Sequence, residues 1–271
     1  MPHDLTRSPD AEDFRTLARS APWLFTTLHW TQRATGEGAR SGTGDIAEAW
    51  MDRAAQRVTV RSRGQVETVE GVPCSRTFLL AWAGDGAPNG SAPVEAVPDR
   101  DEGVLRRADG LVTTRPPGWS DDHSDPMYGN YRWTAMLDPA ELADGVAVSD
   151  VTEVELRGRR TWQAVCRPLV DAYAPRCGCC PLLDSVASRL VEYGPDDPNA
   201  ATDRELLPTA YLVSLDVRTG IVVDVSPLDG AGEGTSFVNE IHAVDGPLRP
   251  PAADPPAAPA PHAPDGPGLR P

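Results

Sequence analysis

Apolar positions recur at two periods along the chain, and the change of period divides it into elements. Over residues 8–20, Phe14, Leu17 and Ala18 share one helical face behind Ser8, Pro9, Asp10, Glu12 and Asp13. A capping hydroxyl, a proline at the first helical position and acids at the positive end predict a helix there, ended by Pro22. From Trp23 the period falls to two. Strands are expected over 23–33, 46–51, 57–60, 66–70, 77–82 and 111–114, with a glycine loop from Gly36 to Gly44. Residues 84–103 are rich in Gly, Pro, Ala and Asp and read as a surface loop, and 116–130 read as irregular. Asp138, Pro139, Glu141 and Leu142 suggest a single capped helical turn.

The last third alternates more regularly. Val146 to Leu156, a turn at Arg157-Gly158-Arg159 and Thr161 to Cys166 form one expected hairpin. Tyr211 to Asp216 and Ile221 to Val225 form a second around Arg218-Thr219-Gly220, and residues 236–244 supply a closing strand. Between the hairpins, Pro181 opens a helical pattern of Leu182, Leu183, Val186, Leu190 and Val191 that stops at Gly194. Beyond Gly246, ten prolines in 25 residues predict a disordered tail without a core. The expected architecture is α+β, a curved antiparallel sheet packed on one or more helices. It comprises a single domain over 1–245 with a cysteine-bearing insertion at 168–208, then the tail, 246–271.

Charge narrows the partners. With 25 basic residues, all arginine, against 40 acidic ones, the net charge is −15. Such a chain is a poor match for a phosphate backbone or an anionic lipid surface. Met1 to Asp13 is polar and acidic, and the longest apolar stretch, Phe78 to Ala83, is far short of the roughly 18 residues a membrane helix needs. A cytoplasmic location without membrane insertion is the expectation. There the five cysteines serve as thiols or metal ligands rather than bridges.

The densest local chemistry is Cys177-Gly178-Cys179-Cys180. Placed at the start of a helix opened by Pro181, with Arg176 alongside, these thiols would be stabilised as thiolates, which suits a soft metal such as zinc or thiol exchange. Cys166 is the candidate fourth ligand, and His29 or His242 can substitute. A disulfide between adjacent Cys179 and Cys180 would be strained and reducible, as in a redox sensor. Simple burial of small side chains accounts for the cluster as well, and Cys74 reads as packing. Trp119, Asp121, Asp122, His123 and Asp125 fit a solvated acidic loop, although a histidine among carboxylates can also serve as a base or ligand. Glu153 and Glu155 read as a solvated strand edge. No phosphate loop, Gly-x-Ser-x-Gly elbow or His-Glu-x-x-His run occurs, and no nucleophile, base and orienting group assemble from the sequence.

The element order resembles the outer-membrane lipoprotein carrier superfamily, which includes sigma-factor regulators. The resemblance is carried by Met136-Leu137-Asp138-Pro139 with Glu141-Leu142, by Val154-Glu155-Leu156-Arg157-Gly158-Arg159, by Leu215-Asp216-Val217-Arg218-Thr219-Gly220, and by the closing strand to Val244. It covers roughly residues 10 to 245 and implies a half-barrel, a curved sheet around helices with an apolar cavity for a lipid chain. The expected function is therefore non-enzymatic. It is the binding of an apolar small molecule, lipid chain or peptide on the concave face, with Trp23, Trp30, Trp50 and Trp162 as contacts. The alternative is a metal-binding or redox-sensing protein centred on Cys166, Cys177, Cys179 and Cys180.

Overall fold

The computed structural model describes residues 8–35, 46–71, 103–116, 125–201, 204–231 and 234–254. The Gly36–Gly44 loop, the expected strand at 77–82, most of 84–103, Cys74, Trp119, Asp121, Asp122, His123 and the tail beyond Asp254 lie outside the described residues.

Nine strands form one antiparallel, curved and unclosed sheet in the order β4-β3-β2-β1-β11-β10-β9-β8-β7. The first four are β1 (Thr27–Ala34), β2 (Ile46–Asp52), β3 (Arg57–Ser62) and β4 (Gln65–Glu70). A separate ribbon pairs β5 (Leu105–Arg106) with β6 (Val112–Thr114). The remaining strands are β7 (Val146–Leu156), β8 (Arg159–Pro168), β9 (Tyr211–Asp216), β10 (Val222–Pro227) and β11 (Phe237–Val244). Each turn residue of the β7–β8 hairpin, Arg157 and Gly158, has positive φ, as a tight two-residue hairpin requires.

Alternation divides the sheet into two faces. In β1, Leu28 and Trp30 point inward and join the core, while His29 and Thr31 lie on the outer face. Cross-strand register carries the inner face on through Ala49, Met51, Val58 and Val60. Helix α1 (Ala11–Ser20) lays Phe14, Leu17 and Ala18 into this concavity. Its cap is Asp10 rather than the expected Ser8: the Asp10 carboxylate accepts from the Glu12 and Asp13 amides, and Asp13 reciprocates to the Asp10 amide. A 3-10 turn, Ala21–Trp23, occupies the start of what the sequence suggested was a strand.

Helix α2 (Tyr131–Leu137) was not expected, and it adds Trp133, Met136 and Leu137 to the core. Helix α3 (Val186–Tyr193) starts five residues later than the sequence pattern suggested. Ser185 caps it, and Leu182 and Leu183 are buried in the core from the preceding loop. No helix among the described residues is long and apolar enough to cross a membrane.

The C-terminal carbonyls of α1 end in the protein interior and are satisfied by arginines. Arg53 donates to Ala21 O and Leu137 O, stacks over Phe25 and makes a bidentate pair with Asp125. Arg115 donates to Arg19 O and pairs with Asp138, which Arg176 also reaches at 3.3 Å. Residues 246–254, the first part of the expected tail, run from beside Thr27 in β1 to the β4 edge of the sheet. There the Asp254 amide donates to Val66 O and its carboxylate accepts from the Val66 amide, covering part of the β4 edge.

Burial alone would raise the pKa of Asp138, but Arg115 and Arg176 outweigh it and hold the carboxyl below its ordinary value. A carboxyl depressed in the fold stabilises above its unfolded pKa of about 3.9, and that contribution is lost as pH falls through the folded value. Urea unfolding of the wild type is therefore expected to show stability falling on acidification below about pH 4. In Asp138→Asn, stability at neutral pH should drop by about 3 kcal/mol and the acid dependence should flatten. An unchanged acid profile in the variant would contradict this assignment.

Candidate functional site

Two features of the fold are chemically distinctive, and they adjoin one another. The first is a cavity of about 890 Å³ at the β1–β4 end of the concave face, where α1 does not reach and α2 forms the opposite wall. Its apolar side includes Val60, Tyr128, Trp133 and Phe237, and its polar side includes Gln32 and Arg132. Trp133 stands between Trp30 and Tyr128, with ring centroids 5.2 Å from each. The volume lies in the usual range for small-molecule sites, and the lining sets an aromatic wall against many polar residues, among them Gln65, Glu67 and Asp254.

The core beside this cavity carries unmet hydrogen-bonding capacity. Trp30 Nε1, Trp133 Nε1 and Asn239 Oδ1 are buried and have no partner among the described residues. Gln32 and Asn239, opposite one another in β1 and β11, both turn their amides to the Met136 sulfur, a weak acceptor, at 2.8 and 3.3 Å. Buried polar atoms left unpaired cost about 1–3 kcal/mol each.

None of the four tryptophans chosen from the sequence lines this cavity. Trp30 and Trp162 are fully buried in the core, and the Trp162 indole donates to Glu153. Trp50 lies on the outer face, stacked on His29 at 4.9 Å, and Trp23 packs under Arg106 and Arg115. The cavity tryptophan is Trp133. Its signal in the sequence was the Asn130 cap, whose side chain accepts from the Arg132 amide and starts α2.

The second feature is the cysteine loop. The sulfurs of Cys177, Cys179 and Cys180 lie within 4.8 Å of one another, with Cys177 and Cys179 at 3.0 Å and Cys179 and Cys180 at 3.8 Å. Cys166 is not among them: it is buried in the core, where desolvation pushes its thiol up to about 12. His29 and His242 are not among them either, since they meet on the outer face, where His29 pairs with Glu48. Nor does the loop sit at a helix start, because α3 begins only at Val186. Arg176 is occupied by Asp138.

Other groups hold the loop. The buried Glu141 carboxylate, whose pKa burial raises, accepts from Tyr173 Oη at 2.6 Å, from the Leu182 amide at 2.8 Å and from the Arg176 amide, gripping both ends. Gly178 lies against α3 so closely that a Cβ there would be 2.7 Å from the Glu192 amide nitrogen. Inside the loop, burial disfavours the Cys177 thiolate. The neighbouring thiols and the amides of Cys179 and Cys180 outweigh that and lower its pKa. The hydrogen bond to Cys177 pushes Cys179 up to about 12, and burial raises Cys180, which accepts from the Tyr131 amide. Amides directed at one sulfur of a three-sulfur group make a set suited to a soft metal ion.

Cavity and loop share a wall. The Pro181 carbonyl accepts from Arg132 at 2.9 Å and from Thr235 at 3.3 Å, and both of those residues line the cavity.

No family model matches the chain, and no curated protein matches it. Among solved structures, the crystal structure of MucB is similar, at 14% identity over 90% of this chain and a TM-score of 0.34. The match spans 60% of that protein's chain, and at this distance it supports no argument about function. The half-barrel architecture expected from the sequence rests on the open, curved sheet itself.

Gly178→Ala is expected to displace the loop from α3, lowering stability by about 1–3 kcal/mol in urea unfolding and speeding the reaction of the three thiols with a chromogenic disulfide. Wild-type stability and thiol kinetics in that variant would contradict the packing described.

Proposed function

We propose that the protein is a non-enzymatic binding module that holds a small molecule, lipid chain or peptide at the β1–β4 end of its concave face. The observation that carries this reading is the 890 Å³ cavity walled by Trp133, Tyr128 and Phe237 on one side and by polar residues including Gln32 and Arg132 on the other. Its chemistry favours an amphipathic guest. An apolar body fits against the aromatic wall, and a polar end fits near Gln32 and Arg132. Titration with a fluorescent fatty acid tests it. Wild type is expected to bind, Trp133→Ala to weaken binding by about tenfold or more, and Trp50→Ala, on the outer face, to leave it unchanged. Absence of binding by wild type, or equal losses in the two variants, would overturn the reading.

A second reading, favoured by the three clustered sulfurs, is that Cys177, Cys179 and Cys180 hold a soft metal ion of the zinc class. Cys179→Ser, at the exposed position, should then release metal and lower the melting temperature of the metal-loaded chain. Unchanged metal content and melting would remove this reading.

A further inference from the structure

We propose that the cysteine loop binds one monovalent thiophilic ion, Cu(I), in three-coordinate thiolate ligation, and that the ion is exchangeable. This rests on the metal-binding reading and specifies it.

The ligand set is the first ground. All three donors come from the four residues Cys177 to Cys180, and no carboxylate or imidazole of the described residues joins them within 4.8 Å. A structural zinc site is closed by four protein ligands, usually from two separate pairs of residues. A single tight loop with three sulfurs supplies what Cu(I) accepts and what structural zinc does not.

Geometry is the second ground. A metal–sulfur distance of about 2.3 Å puts sulfurs about 4 Å apart around a trigonal ion. The triad needs only small side-chain rotations to reach that, since its sulfurs already lie 3.0 Å and 3.8 Å apart along the loop and all within 4.8 Å. The Glu141 clamp and the contact of Gly178 with α3 keep the loop backbone in place.

Access is the third. Cys179 is exposed, so an incoming thiol or donor protein can reach the ion directly, whereas Cys180 is buried and its sulfur takes the Tyr131 amide. Amides on Cys177 and Cys180 offset the negative charge that three thiolates bring to one singly charged ion. Binding is balanced as one Cu(I) and three thiols giving a copper tris-thiolate of charge −2, with three protons released to the buffer and no change of oxidation state.

The test uses the full, reduced chain under anaerobic conditions, titrated with Cu(I) against a coloured Cu(I) chelator and separately with Co(II) as a spectroscopic stand-in for zinc. One Cu(I) per chain with ultraviolet thiolate-to-copper absorption is expected. Cys177→Ser and Cys180→Ser should each weaken it by roughly 100-fold, and Cys74→Ser should have no effect. Circular dichroism of each variant checks that it is folded, and Cys179→Ser, altered at an exposed site, provides the variant least dependent on folding. Intense tetrahedral Co(II) bands that disappear in Cys74→Ser would overturn three-coordinate copper in favour of a closed four-thiolate zinc site. Failure of the wild-type chain to bind either metal would overturn the metal-binding reading along with it.

Discussion

Helix α1 ends inside the protein, and its last carbonyls have no water to turn to. A buried helix C-terminus needs donors, and the dipole there favours cations. Arg53 and Arg115 supply both, and each brings a charge that must itself be balanced, by Asp125 and by Asp138. The same groups decide where α2 stops, because Arg53 also donates to Leu137 O and Asp138 is the residue that ends that helix. The Asp-Pro turn is thus an electrostatic joint between the two helices that fill the concave face. With α1 and α2 anchored there, the middle of the sheet is covered and its β1–β4 end is left as a cavity.

The joint also organises the cysteine loop. Arg176 reaches Asp138 from the residue just before Cys177, while Glu141, three residues beyond Asp138, holds the amides on both sides of the loop. Pro181 then passes its carbonyl to Arg132 and Thr235 on the cavity wall. Cavity and thiol cluster are therefore neighbours, joined through α2 and Pro181, while β1–β4 supply the sheet side of the cavity. The turn residues that carried the family resemblance have a comparable physical role. Asp216 accepts from the Thr219 amide and hydroxyl and pairs with Arg159 of the adjacent hairpin, tying two turns together.

Much of the sheet was legible in the sequence, because half-buried antiparallel strands alternate. β7 and β9 match the expected bounds residue for residue, and β2, β3 and β4 match within two residues. Helix α2 was not legible because its seven residues include aromatic and β-branched types of low helix propensity and span too few turns for a period to emerge. The run after Pro181 misled for the opposite reason. Leu182 and Leu183 are apolar at helical spacing, yet they are buried from a loop, and the decisive signal was the Ser185 and Ser188 capping pair. For the candidate site, the cysteine cluster was legible and its partners were not. Cys166, His29 and His242 are placed by strand register, which puts one in the core and two on the outer face. Register also separates Trp30 from Trp50, a distinction invisible in composition.

Ion pairs that anchor two helices leave one end of the curved sheet open as a cavity, the site proposed for the guest. Native mass spectrometry of the purified full chain, compared with its denatured mass, tests this most directly. After incubation with a mixed lipid extract, the native mass is expected to exceed the denatured one by a guest of roughly a few hundred daltons, the size a cavity of this class accepts. The excess should be lost in Trp133→Ala. Equal native and denatured masses after that incubation would contradict the proposed binding.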